Sequence, residues 1–163
     1  MGENKCHKTH LKEGEKAPNF TLTAHTGEKI SPKQFHGKKV VLYFYPKDNT
    51  PGCTKEACGF RDEHEKIEGL RAVILGVSPD PLELHEKFVK HFNLPFKLLA
   101  DDDQSVCKKY GVWAEKNMYG KKYWGVVRTT FVIDEGGVVE KIYHDVKPDI
   151  HANEVLEYLK KNA

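Results

Sequence analysis

Four cysteines stand in this chain, at positions 6, 53, 58 and 107, and only one of them sits where a thiol is easily activated. Cys53 follows a turn-rich stretch, residues 47–52, and opens a helical pattern that runs to about Glu68. Free backbone N–H groups and the positive end of the helix dipole favour an anion at such a position. An ordinary thiol has a pKa of about 8.5 and is mostly protonated at neutral pH. A helix N-terminus with a nearby cation lowers that value and yields the nucleophilic thiolate. Pro51 fixes φ just before this cysteine, and Gly52 removes a side chain beside the sulfur, so the loop is shaped for close approach of a small ligand. The competing reading is a buried structural cysteine, a common use of the residue.

Cys58 lies five residues further along the same helical pattern. Positions so spaced on an intact α-helix have Cα atoms about 9 Å apart. A disulfide needs them within about 7 Å. The two sulfurs therefore either are unrelated or meet only when the first turn of the helix unwinds.

Other chemistry-bearing residues carry weaker readings. Cys6, His7 and His10 could hold a metal, but three ligands on a polar tail make a poor site. Cys107 lies in a short helical pattern and reads as a core thiol. Asp101, Asp102 and Asp103 read as a solvated loop that starts the next helix. The histidines show no metal-like spacing, and His144 and His151 read as surface groups.

The elements that must position these side chains follow from periodicity. Residues 39–45 and 72–77 are near-continuous apolar runs, the pattern of strands buried on both faces. Residues 20–22 and 28–30 flank the turn His25, Thr26, Gly27 and predict a short hairpin. Ser31 and Pro32 start one short helical turn. On the helix after Cys53, Ala57, Phe60, His64 and Ile67 fall on one stripe. A helix follows Pro81 to about Phe92, residues 96–99 form a short strand, and a short helix closes at Gly111. Residues 129–134 and 138–143 form a second hairpin, and a terminal helix starts near Asn153 with Val155, Leu156 and Leu159 inward. The resulting fold class is α/β, a central mixed β-sheet flanked by helices on both faces with an N-terminal β-hairpin. Residues 1–10 form an expected flexible tail, with polar, loose chain up to about Glu15, and residues 11–163 a single domain.

Composition narrows the function. Of 163 residues, 39% are hydrophobic and 31% charged, which suits a soluble globular domain. The net charge of +2 comes without a basic block, so nucleic-acid binding has no support. No apolar run approaches the roughly 18 residues needed to span a membrane. No apolar leader opens the chain, so a reducing compartment, the cytoplasm, is expected, where cysteines serve catalysis or metals more than structure.

One resemblance gathers these observations. Pro46, Thr50 and Cys53 fit the pattern P-x-x-x-T-x-x-C of the peroxiredoxin family, and the second cysteine at Cys58 resembles its bacterioferritin comigratory protein or peroxiredoxin Q branch. The segment from Arg128 to Asp134 resembles that branch's arginine-bearing strand. The stretches Ala17-Pro18-Asn19-Phe20, Gly76-Val77-Ser78 and Tyr110-Gly111-Val112 are similar too, so the likeness runs from about Leu11 onward. The resemblance implies a thioredoxin-like fold and a thiol peroxidase. Cys53 would attack a hydroperoxide and become a sulfenic acid. Arg128 would hold thiolate and peroxide, Thr50 would hydrogen-bond the peroxide, and Pro46 would shape the pocket. Glu56 would help order the loop. Cys58 would condense with the sulfenic acid to an intramolecular disulfide, which thioredoxin or a similar dithiol reductant would reduce. No cofactor or metal is implied, and a monomer is expected because both sulfurs lie in one chain. Two other functions fit the cysteines less well: a thiol–disulfide oxidoreductase, against which the absence of C-x-x-C counts, and a metal-binding or holdase module.

Overall fold

A computed structural model of the chain describes residues 8–163. Its centre is β3 (Lys39–Phe44), every residue of which is buried, in keeping with the apolar run that follows Lys39. Alternate side chains leave the strand on opposite faces. Val40, Leu42 and Phe44 enter one core, while Val41 and Tyr43 enter a second. β4 (Ala72–Ser78) pairs in parallel with β3, and β5 (Lys97–Ala100) in parallel with β4. On the other side β8 (Thr129–Ile133) and β9 (Val139–Tyr143) add antiparallel strands. The N-terminal hairpin, β1 (Leu22–Ala24) with β2 (Lys29–Ile30), closes the far edge through an antiparallel β1–β5 pairing. The strand order is β2-β1-β5-β4-β3-β8-β9, a mixed thioredoxin-like sheet.

Three helices pack on the face that carries Tyr43: α1 (Pro51–Gly69), α2 (Leu82–Phe92) and α4 (His151–Lys161), contributing Ala57, Phe60, Ile67, Phe88 and Val155 to that core. The short α3 (Ser105–Lys109) covers the other face with Val106 and Cys107. The predicted turn after Ser31 forms as a 3-10 turn, Pro32–Phe35. Among the described residues no helix is long and apolar enough to cross a membrane.

Three features depart from the sequence reading. A separate antiparallel ribbon, β6 (Trp113–Met118) with β7 (Lys121–Val126), stands where no element was expected. Its strands are polar and lack alternation. They are joined by a two-residue turn in which Tyr119 and Gly120 both have positive φ, the geometry that matches strand twist. The N-terminal stretch is also tied down earlier than its polarity suggested. Thr9 and Leu11 are buried, and the Thr9 hydroxyl donates to the Tyr110 carbonyl. His151, read as a surface group, is fully buried, with Nε2 2.7 Å from Thr130 Oγ1 and Nδ1 3.2 Å from Glu154. A lone histidine on an amphipathic helix gives no sign in sequence that it will pair with a threonine of the sheet.

Candidate active site

The site forms where β3 ends and α1 begins. Tyr45 still holds the strand direction, donating its N–H to Val77 O at 3.0 Å, and half-buried Pro46 then turns the chain outward. Thr50 is the N-cap of α1 in extended backbone, and Pro51 occupies the first helical position, where its missing N–H costs nothing. The helix therefore starts two residues before the expected Cys53. The first intrahelical bond runs from Thr54 N to Thr50 O, 2.8 Å. Cys53 thus lies in the turn whose N–H groups have no intrahelical acceptor. Its side chain faces the core and is 1% exposed. Thr50 Oγ1 donates to Lys47 O at 2.9 Å, which folds the loop back on itself.

Arg128 reaches this turn from the residue before β8. Its guanidinium rests on Gly52: a Cβ there would lie 2.6 Å from Nη2 and 3.4 Å from Cζ. Arg128 Nη1 donates to Glu56 Oε1 at 3.0 Å. Glu56 is wholly buried, and burial pushes its carboxyl up to about 7 against the opposing pull of Arg128. Thr50, Cys53 and Arg128 meet at the first turn of α1, Pro46 lies in the loop that leads into it, and Glu56 is the direct partner of the arginine.

Cys58 is the exception to this convergence. α1 is unbroken from Pro51 to Gly69, and Cys53 and Cys58 are both free thiols. Cys58 is half-buried, beside a close α1–α4 contact in which Gly59 admits Ala152; a Cβ on Gly59 would lie 3.2 Å from that of Ala152. Cys107 is a core thiol, as expected, with its pKa driven far up by burial and by Asp101. Asp101 itself is not solvated. It is buried and receives the N–H groups of Val106 and Cys107 at 3.1 and 2.7 Å. Cys6 and His7 lie outside the described residues. Among those described, no three His, Cys, Asp or Glu side chains gather as metal ligands.

Two features of the site were not read from sequence. Asp48 is buried behind the loop, accepts from Tyr45 Oη at 2.5 Å and pairs with His85 Nδ1 at 2.5 Å. His85 Nε2 faces Leu99 O at 3.0 Å. A carbonyl only accepts, so the Nε2 hydrogen points at Leu99 O. This network clamps the loop to α2 and β5. Lys116 of β6 is the second. Its ammonium is half-buried and donates to Val126 O at 2.7 Å, two residues before Arg128. Desolvation lowers its pKa first; the charge of Arg128 lowers it further, and Cys53 pulls it back.

A mixed thioredoxin-like sheet holds a buried thiol in the first turn of a helix, next to the glycine on which a guanidinium rests, an arrangement suited to thiol-based redox chemistry. Residues 14–142 match the AhpC/TSA family. The putative peroxiredoxin bcp of Coxiella burnetii is 53% identical over 143 residues, 88% of this chain and 95% of that protein. A Cys-to-Ser mutant of PrxQ from Xylella fastidiosa has a TM-score of 0.90 at 33% identity, covering 95% of this chain and 99% of its own. The bacterioferritin comigratory protein of Xanthomonas campestris has a TM-score of 0.83 at 36% identity, covering 88% and 90%. The chain belongs to the AhpC/TSA family, within its Bcp/PrxQ peroxiredoxins, and is a peroxidase.

Proposed function

We propose that Cys53 is the peroxidatic nucleophile, that Cys58 resolves it, and that a dithiol protein of the thioredoxin kind closes the cycle in the cytoplasm. The observation that carries the reading is the Arg128 guanidinium seated on Gly52, one residue before Cys53, and fixed there by Glu56. A positive fork held beside a helix N-terminus stabilises thiolate sulfur and orients an incoming peroxide oxygen. The Thr50 hydrogen is spent on Lys47 O, so its oxygen is left to accept the O–H of a hydroperoxide. Pro46 and the wall around it limit access to a buried sulfur. Organic hydroperoxides are included as substrates, in line with the alkyl peroxide reduction activity described for the Xanthomonas campestris relative.

Resolution requires the first turns of α1 to open, since Cys53 and Cys58 are separated by an intact helix. Helix termini are the segments that open at lowest cost. Both sulfurs lie in one chain, so a monomer suffices for the cycle. The test is peroxide turnover with a thioredoxin system for wild type, Cys53→Ser and Cys58→Ser. Cys53→Ser is expected to abolish turnover, and Cys58→Ser to leave one round of peroxide consumption per chain. Full activity in Cys53→Ser would refute the assignment.

A further inference from the structure

Two polar atoms in the core that holds Cys53, or on its helix, have no partner among the described residues. Tyr43 Oη and Glu56 Oε2 are buried and make no hydrogen bond to any other group among the described residues. Tyr43 is 1% exposed and Glu56 0%. Leaving such groups unpaired costs about 1–3 kcal/mol each. Tyr43 points from β3 into the core that also contains Cys53. The charges that bear hardest on its hydroxyl are those of Glu56 and then Cys53. Glu56 stands three residues after Cys53 on α1, a spacing that brings side chains together on one helix face. Arg128 occupies Oε1 of that carboxylate and leaves Oε2 unengaged.

The two unpaired atoms differ in kind. A phenol hydroxyl offers a donor, and a carboxylate oxygen offers an acceptor. A thiol meets neither demand well, because S–H is a weak donor and sulfur a weak acceptor. A sulfenic acid meets both. Building on the reading of Cys53 as nucleophile, we propose that Tyr43 and Glu56 form a receptor for the oxygen that Cys53 acquires: Tyr43 Oη donates to the sulfenic oxygen, and the sulfenic O–H donates to Glu56 Oε2.

The chemistry balances without a further reactant. The Cys53 thiolate attacks the terminal peroxide oxygen; an S–O bond forms as the O–O bond breaks. The sulfur loses two electrons and keeps that oxygen with its hydrogen. The leaving oxygen departs with the electron pair, takes a proton from solvent and becomes an alcohol, or water from hydrogen peroxide. The new S–O–H group then pairs the two atoms that the reduced protein leaves unpaired. Held this way, the sulfenic acid is retained in the folded turn, and release to Cys58 has to break both bonds.

The experiment compares Cys58→Ser with Cys58→Ser/Tyr43→Phe, reduced and after one equivalent of hydrogen peroxide, at pH 8, where Glu56 is ionised. Trapping by a dimedone-type reagent, with mass mapping, first establishes that the oxidised species is a Cys53 sulfenic acid; no adduct would overturn both this proposal and the reading it rests on. With the adduct established, Tyr43→Phe is expected to leave the melting temperature of the reduced form unchanged or higher, because an unpaired hydroxyl is removed. In the sulfenic form it is expected to lower melting by about 2–4 °C, the shift that one lost hydrogen bond gives at this chain length. A residue that only packs would shift both forms alike, and equal shifts would overturn the receptor while leaving Cys53 as nucleophile. In the chain that retains Cys58, Tyr43→Phe is expected to speed disulfide formation from the sulfenic acid by about fivefold. An unchanged rate would count against the receptor equally.

Discussion

Glu56 makes the energetics of the site measurable. Its carboxyl is wholly buried, bonded on one oxygen to Arg128 and unpaired on the other, and its pKa rises from 4.5 to about 7. The folded protein therefore keeps a proton that the unfolded chain has released between pH 4.5 and about 7. Stability falls as pH rises through that window, and the loss is complete above it. At about 1.4 kcal/mol per pH unit, the ionised form costs the fold about 3 kcal/mol. Glu56→Gln keeps the shape and cannot titrate. The assay is urea unfolding of the reduced protein at pH 4 and pH 8.5 for wild type and variant, which cancels the titration of every other group. The unfolding free energy of Glu56→Gln, relative to wild type, is expected to rise by about 3 kcal/mol from the acidic to the alkaline condition. A difference constant to within about 1 kcal/mol, or one that falls, would refute a buried carboxylate strained by incomplete pairing.

Two further substitutions probe the cations around Cys53. Gly52→Ala places a methyl group 2.6 Å from Arg128 Nη2, the movable end of a side chain. Melting is expected to move by only a few degrees while peroxide turnover drops about tenfold or more, as displaced guanidinium geometry predicts; turnover close to wild type would show that the Arg128 position is dispensable. Lys116→Met removes the half-buried ammonium whose charge reaches Cys53. Alkylation of Cys53 by iodoacetamide in the reduced protein at pH 7 is expected to slow by about two- to fivefold, and an unchanged rate would place Lys116 outside the site's field.

Much of the frame was legible because burial on two faces writes itself into sequence. β3 and β4 are apolar at nearly every position, and the stripe of Ala57, Phe60 and Ile67 on α1 gave the helix and its inward face. Cys53 stood out by its place at the start of a helical pattern, whereas Pro46, Thr50 and Arg128 came through resemblance; nothing around Arg128 in sequence marks it as the guanidinium that meets Gly52. What escaped was long-range polar pairing. Asp48 with His85, and Thr130 with His151, join residues 37 and 21 apart in chain, and each looks like a surface residue until its partner is known. The β6–β7 ribbon escaped because Glu115, Lys116, Asn117, Lys121 and Lys122 give its strands no apolar period. Its turn depends on backbone conformation at Tyr119, not on a recognisable turn pair.

In the proposed cycle Cys53 is oxidised by the peroxide, and Cys58, within reach only when the helix opens, condenses with the resulting sulfenic acid. Peptide mass mapping after a single equivalent of hydroperoxide tests this most directly. A Cys53–Cys58 disulfide, reversed by a dithiol, is the predicted product. Oxidation that spares Cys53, or links it to Cys6 or Cys107, would rule this cycle out.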